Sequence, residues 1–569
     1  MMLLLLNYKS FRQTFNQKMK SISLLLIGLL IFSCQNDKPS VEAIIINANV
    51  YTVNGDFAKA EAFAIKNGKF LEIGSSDAIK NKFAADTIIN AKGKTILPGL
   101  IDAHSHFLTL GQLTQQVNLV GTTSFDDMIK RVLDFQNKNN MPFIRGRGWD
   151  QNDWEDQDMP TKAILDQLFP NTPIALTRID GHASFCNQAA LDLGDITPQT
   201  QMEGGEIEVK NGKLTGILYD NAEQLVMNNW PTPSKAQLID ALLKAQAICF
   251  ENGLTSLSDA GPDIFTTPWI ETINLIDSLQ NAGDLKIRMY MMVPGTTTNL
   301  DYYLKKGIYK TNRLNVRSFK FYADGALGSR GALLRAPYSD KADHYGLPVM
   351  SYKTISQGAK RIANSEFQMN THAIGDSANH EVLEIYKAAL SGDTKRRWRV
   401  EHAQVVATED FKYFDDILPS VQPTHATSDM YWAEERLGEE RIKEAYAYKQ
   451  LMKAYGKIAL GTDFPVEQVN PMLTFFAAVA RQDAKQFPKD GFQKENGLTR
   501  EEALKGMTIW AAYSNFEETE KGSIEAGKFA DFIMVDRDIM SVPLKSVIDT
   551  KIEQTYVGGK LQYQRNLKL

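Results

Sequence analysis

Two histidines stand one residue apart at the end of an apolar run, Leu97-Pro98-Gly99-Leu100-Ile101-Asp102-Ala103-His104-Ser105-His106. On a β-strand, positions i and i+2 face the same side, so His104 and His106 can aim both imidazoles at one point. Neutral imidazole nitrogens converging in this way suit zinc and its neighbours in the first transition row. An H-x-H alone is equally compatible with a hydrogen-bonded structural pair. Further candidates stand at the ends of later strand-like runs: Lys320 in Phe319-Lys320-Phe321-Tyr322-Ala323, His372 in Thr371-His372-Ala373, His402 in Val400-Glu401-His402 and Asp463 in Gly461-Thr462-Asp463. Each has a plainer role open to it. A lysine between phenylalanines can snorkel out of a core, an aspartate can cap the next helix, and a lone histidine can be structural. The chain has only eight histidines, and four of them fall at these strand ends. That distribution favours a metal site.

Residues so far apart in sequence need a frame that gathers strand ends. Runs at Leu100–His106, Thr255–Asp259, Lys286–Val293, Val316–Ala323, Gln368–His372, Trp398–His402, Pro419–Pro423 and Lys457–Asp463 alternate with helical patterns. Alternation of this kind builds a parallel sheet, and this number of strands closes a (β/α)₈ barrel of the TIM type. Active sites of such barrels sit where the strands end. The gap between the first two strands is too long for one crossover helix and must hold an insertion, placed at about 141–230. Short strand-and-turn patterns fill both ends of the chain, with Asn54-Gly55, Asn67-Gly68 and Gly558-Gly559 as turns. Neither end has enough strands for a sheet of its own, so the two are expected to pair into one small β-sandwich. The expected division is a leader at 1–34, a tether at 35–42, a sandwich from 43–96 and 522–569, and a barrel over 97–521.

With 43% hydrophobic and 23% charged residues, the 569-residue chain reads as globular, and a net charge of −5 offers no basic footprint for nucleic acid. Three cysteines exclude a disulfide framework. Lys18 and Lys20 precede an apolar stretch from Leu24 to Phe32, followed by Ser33 and Cys34. This is the plan of a secretory signal, too short to span a membrane. Ile31-Phe32-Ser33-Cys34 resembles a bacterial lipobox, which implies an exported lipoprotein of the cell envelope held to the membrane only through Cys34. Met19 serves equally well as the start of such a signal.

The order H-x-H, Lys, His, His, Asp on strands one, four, five, six and eight resembles the amidohydrolase superfamily of metal-dependent hydrolases. The segments Leu97–His106, Ala323-Asp324-Gly325-Ala326-Leu327-Gly328-Ser329-Arg330 and Gly461-Thr462-Asp463-Phe464-Pro465 narrow the resemblance to the branch called amidohydrolase family 3. The likeness runs from about Ala43 to the C-terminus. It implies a divalent cofactor, zinc in the first instance, as one or two ions. His104, His106 and Asp463 would hold one ion, and His372 and His402 the other. Lys320, whose ammonium would repel metal, would bridge them as a carbamate (N6-carboxylysine). Asp463 would also be catalytic, taking a proton from metal-activated water and passing it to the leaving nitrogen.

The implied reaction is cleavage of a C–N bond in a small-molecule substrate: a linear amide, an N-formyl or N-acyl amine, or a related group. Deamination, or lactone or ester hydrolysis, would use the same ligands, although deaminases of the superfamily generally lack the strand-four lysine. An inactive surface binding protein should have lost ligands, and none of the six is missing. Expected substrate contacts are Trp149 and Trp154 in the insertion, His182 in Arg178-Ile179-Asp180-Gly181-His182, Arg330 after strand four, and His425 at the end of strand seven. Tryptophans also pack insertions onto barrels, and Arg330 could equally bind a helix C-terminus. No partner beyond a small molecule is implied, and the chain is compatible with a homo-oligomer.

Overall fold

The computed structural model describes residues 38–179, 183–202, 205–261 and 269–566. Its centre is a parallel sheet of β1 (Leu100–Ser105), β2 (Leu254–Asp259), β3 (Arg288–Pro294), β4 (Leu314–Tyr322), β5 (Gln368–Ala373), β6 (Arg399–His402), β7 (Leu418–Val421) and β8 (Ala459–Leu460). Neighbours in the sheet are neighbours in sequence, and every pairing from β1 through β8 is parallel. Every strand expected from the sequence is present. The strands are buried on both faces, as parallel strands covered by helices must be.

The cylinder closes at its mouth through loop backbone rather than a ladder. The Asp463 amide donates to the His104 carbonyl and the His106 amide to the Phe464 carbonyl, each at 2.8 Å. Gly461 is required there, because a Cβ on it would lie 2.5 Å from the His104 nitrogen. The crossover helices follow local rules. In Tyr352–Ala363 the Ser351 hydroxyl accepts from the Thr354 amide, and Ile355, Ala359 and Ile362 form the buried stripe against the barrel.

The two chain ends build one β-sandwich. One sheet takes Lys69–Gly74, Ala62–Lys66, Ser40–Ile46 and Ala84–Asn90, all from the N-terminal side. In the other, Thr95–Pro98 pairs antiparallel with Phe532–Val535, so N-terminal and C-terminal strands share a ladder. Phe63 meets Phe532 edge-on with ring centroids 5.0 Å apart, and Phe532 stacks on Tyr556 at 4.3 Å. The sandwich core therefore needs residues from both ends of the chain.

The insertion after β1 is a second sheet with its own core. Its strands run in the order Gly205–Lys210, Lys213–Asp220, Ala183–Cys186, Ile174–Arg178, Ile144–Trp149, Val117–Asn118. It starts earlier than the expected 141, because Val117–Asn118 belongs to this sheet and helix Phe125–Asn139 packs Met128, Ile129 and Val132 into its core. That stretch reads as an ordinary amphipathic helix, so sequence pattern does not separate it from a barrel crossover. The chain returns through helix Lys235–Glu251, which opens on a Ser234–Gln237 capping box and lies against Gly111 at its Ala241.

Candidate active site

All six expected side chains meet at the C-terminal mouth of the barrel. The closure that joins β1 to the segment after β8 sets His104 Nε2 3.6 Å and His106 Nε2 3.1 Å from Asp463 Oδ1. Asp102 locks this corner. Its carboxylate accepts from the His104 amide at 3.1 Å, the Thr462 amide at 3.0 Å and the Thr462 hydroxyl at 2.7 Å. Burial raises Asp102 to about 7, against the pull of those hydrogen bonds. From β4, Lys320 brings its Nζ within 3.2 Å of His104 Nε2. The ring of His402 lies 4.7 Å from that of His104 and 4.4 Å from that of His372.

The backbone is held in unusual conformations here. His402, Ala403 and Asp463 have φ of 76°, 42° and 62°, the left-handed region that residues with a Cβ rarely enter. Each such residue costs on the order of 1–3 kcal/mol and persists only where the surroundings enforce it. At the end of β6 and just past β8, the conformation turns His402 and Asp463 into the mouth.

Three of the imidazoles carry an acceptor on Nδ1. His104 donates from Nδ1 to Glu401 Oε2 at 2.6 Å, His106 to the Gly261 carbonyl at 2.5 Å and His402 to Gln422 Oε1 at 2.8 Å. A proton fixed on Nδ1 leaves the lone pair on Nε2, the form a metal requires. Glu401 is fully buried and lies 3.0 Å from the Arg399 guanidinium. Burial pushes this carboxyl up, yet Arg399 and His104 hold it at about 2. Burial and the Lys320 charge bring His372 down to about 3 and also lower His104. Burial and the neighbouring imidazoles do the same for His402. Burial pushes Asp463 up, yet the hydrogen bond from His106 and the surrounding imidazoles hold it well below the carboxylate range. His104, His372 and His402 are thus held toward the neutral form beside an ionised Asp463.

Among the described residues, two groups have donor atoms close enough to hold an ion, His104 with His106 and Asp463, and His402 with His425 and Asp463, each within 4.8 Å. The fit to a divalent cation is chemical as well as geometric. The Nε2 atom of His372 is buried without a hydrogen-bond partner among the described residues, a costly state for a site with nothing to bind. His425, expected only as a substrate contact, falls within the second group, while His372 lies beside it and approaches Asp324 Oδ1 at 3.7 Å.

A cavity of about 340 Å³ opens above these side chains, lined on its outer part by Leu327, Ile374, Trp432, Val466 and Glu467. His425 lines it, whereas the other described residues expected to touch substrate do not. Trp149 and Trp154 are buried in the insertion's own core, Trp149 donating to the Leu176 carbonyl at 2.7 Å. Arg330 turns away into a two-point ion pair with Asp340 at 2.7 and 3.0 Å. Their residue types suited a pocket, but packing inside the insertion and a nearby carboxylate claimed them. His182 lies outside the described residues. Trp432, on the helical segment after β7, is a cavity wall with no sequence cue.

An amidohydrolase family model matches residues 87–563. The chain belongs to amidohydrolase family 3. Family members similar to it include the protein LONG AFTER FAR-RED 3 of Arabidopsis thaliana, 32% identical over 537 residues that cover 92% of this chain and 91% of that protein. N-substituted formamide deformylase of Arthrobacter pascens is 26% identical over 550 residues, covering 92% of this chain and 98% of the enzyme. Among solved structures, an uncharacterized metal-dependent hydrolase of Pyrococcus horikoshii superposes with a TM-score of 0.74 at 27% identity, covering 88% of this chain and 99% of its own. Membership and the histidine–aspartate cluster together make the protein a metal-dependent hydrolase.

Proposed function

We propose that the protein hydrolyses a C–N bond of a small amide, with an N-formyl or N-acyl amine as the leading substrate class. The observation that carries this reading is the meeting of His104, His106 and Asp463 beneath an open cavity, with Lys320 and His402 against them. A bound divalent cation, zinc in the first instance, would lower the pKa of water from about 15.7 to about 7 and polarise the amide carbonyl.

The residues supply everything else. His104, His106 and Asp463 would hold one ion and His372 and His402 the other, with Lys320, as a carbamate, serving both. Glu401, Gly261 and Gln422 keep the ring nitrogens aimed. Asp463, ionised and bordering the cavity, takes the proton of the attacking water and returns it to the leaving nitrogen, which departs as a neutral amine. The apolar outer wall excludes water and receives the substituent on the amide. Similarity to a formamide deformylase supports this bond class.

The test is a panel of formamides, acyl amides and esters offered to protein stripped of metal and reloaded with Zn²⁺ or Mn²⁺. Turnover of amides that depends on the metal is expected; metal-dependent turnover confined to esters would refute the C–N assignment. Export and lipid attachment at Cys34, outside the described residues, belong to the same proposal. Radiolabelled palmitate should mark the wild type and not Cys34→Ala.

A further inference from the structure

One imidazole at the mouth is wired in the opposite sense to its neighbours. His104, His106 and His402 each give the Nδ1 proton to an acceptor, which leaves Nε2 as a lone pair. His425 instead faces a donor, with the Gln404 side-chain Nε2 lying 3.1 Å from its Nδ1. An amide nitrogen only donates, so the lone pair of His425 is on Nδ1 and its proton is on Nε2. Both side chains are largely buried, at 6% and 4% exposure, and both border the cavity. The Nε2 atom itself is buried and has no hydrogen-bond partner among the described residues. It lies 3.5 Å from Asp463 Oδ2 on the wall of the cavity, and the ring stacks parallel to that of His402 at 5.9 Å.

An unpaired buried N–H beside the group that handles protons is a donor waiting for an acceptor. We propose that His425 is a catalytic residue that donates a hydrogen bond from Nε2 to the carbonyl oxygen of the scissile group, and that Gln404 is the positioning residue holding it in this tautomer. The assignment rests on the amide-hydrolase reading above and extends it, naming the group that meets the developing negative charge on oxygen. No bond to His425 forms or breaks. Its N–H is aimed beforehand at oxygen charge that grows in the transition state, the arrangement in which a single donor contributes most. The donor also disqualifies His425 as a metal ligand, although its distance to Asp463 and His402 would permit that role.

The experiment uses the full chain loaded with Zn²⁺, with 4-nitroformanilide and 4-nitrophenyl acetate as carbonyl probes. Nitrogen-15 spectra of the imidazoles should show His425 protonated at Nε2 in the wild type. His425→Ala should lower kcat by about 10²-fold or more with metal content unchanged, and His425→Gln, which keeps a donor, should recover part of the loss. Gln404→Glu places an acceptor on Nδ1, so it should move the proton to Nδ1 and lower kcat while the protein still holds metal. A wild-type His425 protonated at Nδ1, loss of metal from His425→Ala, or unchanged kcat in that variant would each overturn the proposal. Failure of metal-loaded wild type to turn over either probe counts against the hydrolase reading instead, and the tautomer still decides the wiring of His425.

Discussion

The barrel mouth and the surroundings of Trp149 in the inserted sheet use overlapping residue types, yet they treat polar atoms differently. Around Trp149 in the insertion, polar groups close on one another: Trp149 donates to the Leu176 carbonyl, and Arg178 reaches Gln151 at 2.9 Å and Asp150 at 2.6 Å. At the mouth, buried nitrogens of His372 and His425 are left over, and three residues hold left-handed backbone. A folded chain tolerates such a cost where function repays it. Tryptophan and arginine in a motif therefore do not mark a site by type. At the mouth, unpartnered nitrogens and left-handed backbone coincide with a cavity and a histidine–aspartate cluster, and that coincidence marks the site.

Breaking each region should give a different signature. The largest effect is expected from Asp463→Asn, which keeps shape and a donor atom but removes the base. Turnover should fall by about 10²–10⁴-fold, measured on metal-loaded protein, and unchanged turnover would remove Asp463 from the proton path. Trp149→Ala should instead cost about 3–5 kcal/mol of stability through the cavity it leaves, seen in urea unfolding, while metal content per folded molecule stays level. A change in KM without loss of stability would restore Trp149 to the pocket. Glu401→Gln keeps a side-chain oxygen that can accept from His104 Nδ1, but without the negative charge. Metal affinity, read by chelator competition, should weaken by about 10–100-fold. The smallest effect belongs to Arg330→Ala, where loss of a partly exposed ion pair should leave the urea midpoint nearly unmoved and turnover unchanged.

The frame was legible because alternation of strand and helix is a strong periodic signal, and the candidate ligands were legible because they fall at strand ends. His104, His106 and Asp463 could be placed together once the cylinder was recognised, since β1 and β8 must meet. Their supports were harder to see. Glu401 and Arg399 are charges on a short strand buried along its whole length, which is itself a cue that they pair with something. Asp102 sits within the motif that holds the histidines, yet its bond to Thr462 spans 360 positions and has no sequence trace. Gln404 and Gln422 are ordinary loop residues until the fold sets them beside imidazoles. The same lack of long-range information misplaced Trp149, Trp154 and Arg330, because a motif reports residue types and not which neighbour claims them. The insertion's start was misread for a related reason: a helix that covers an inserted sheet has the same amphipathic stripe as one that covers a barrel.

The convergence of His104, His106 and Asp463 as a metal-holding centre is tested most directly by anomalous diffraction from crystals grown with Zn²⁺. A peak at about 2.0–2.2 Å from Nε2 of both histidines and from an Asp463 oxygen is the predicted result. A folded, zinc-equilibrated crystal with no peak at the barrel mouth, or with its peaks confined to surface residues, would contradict it.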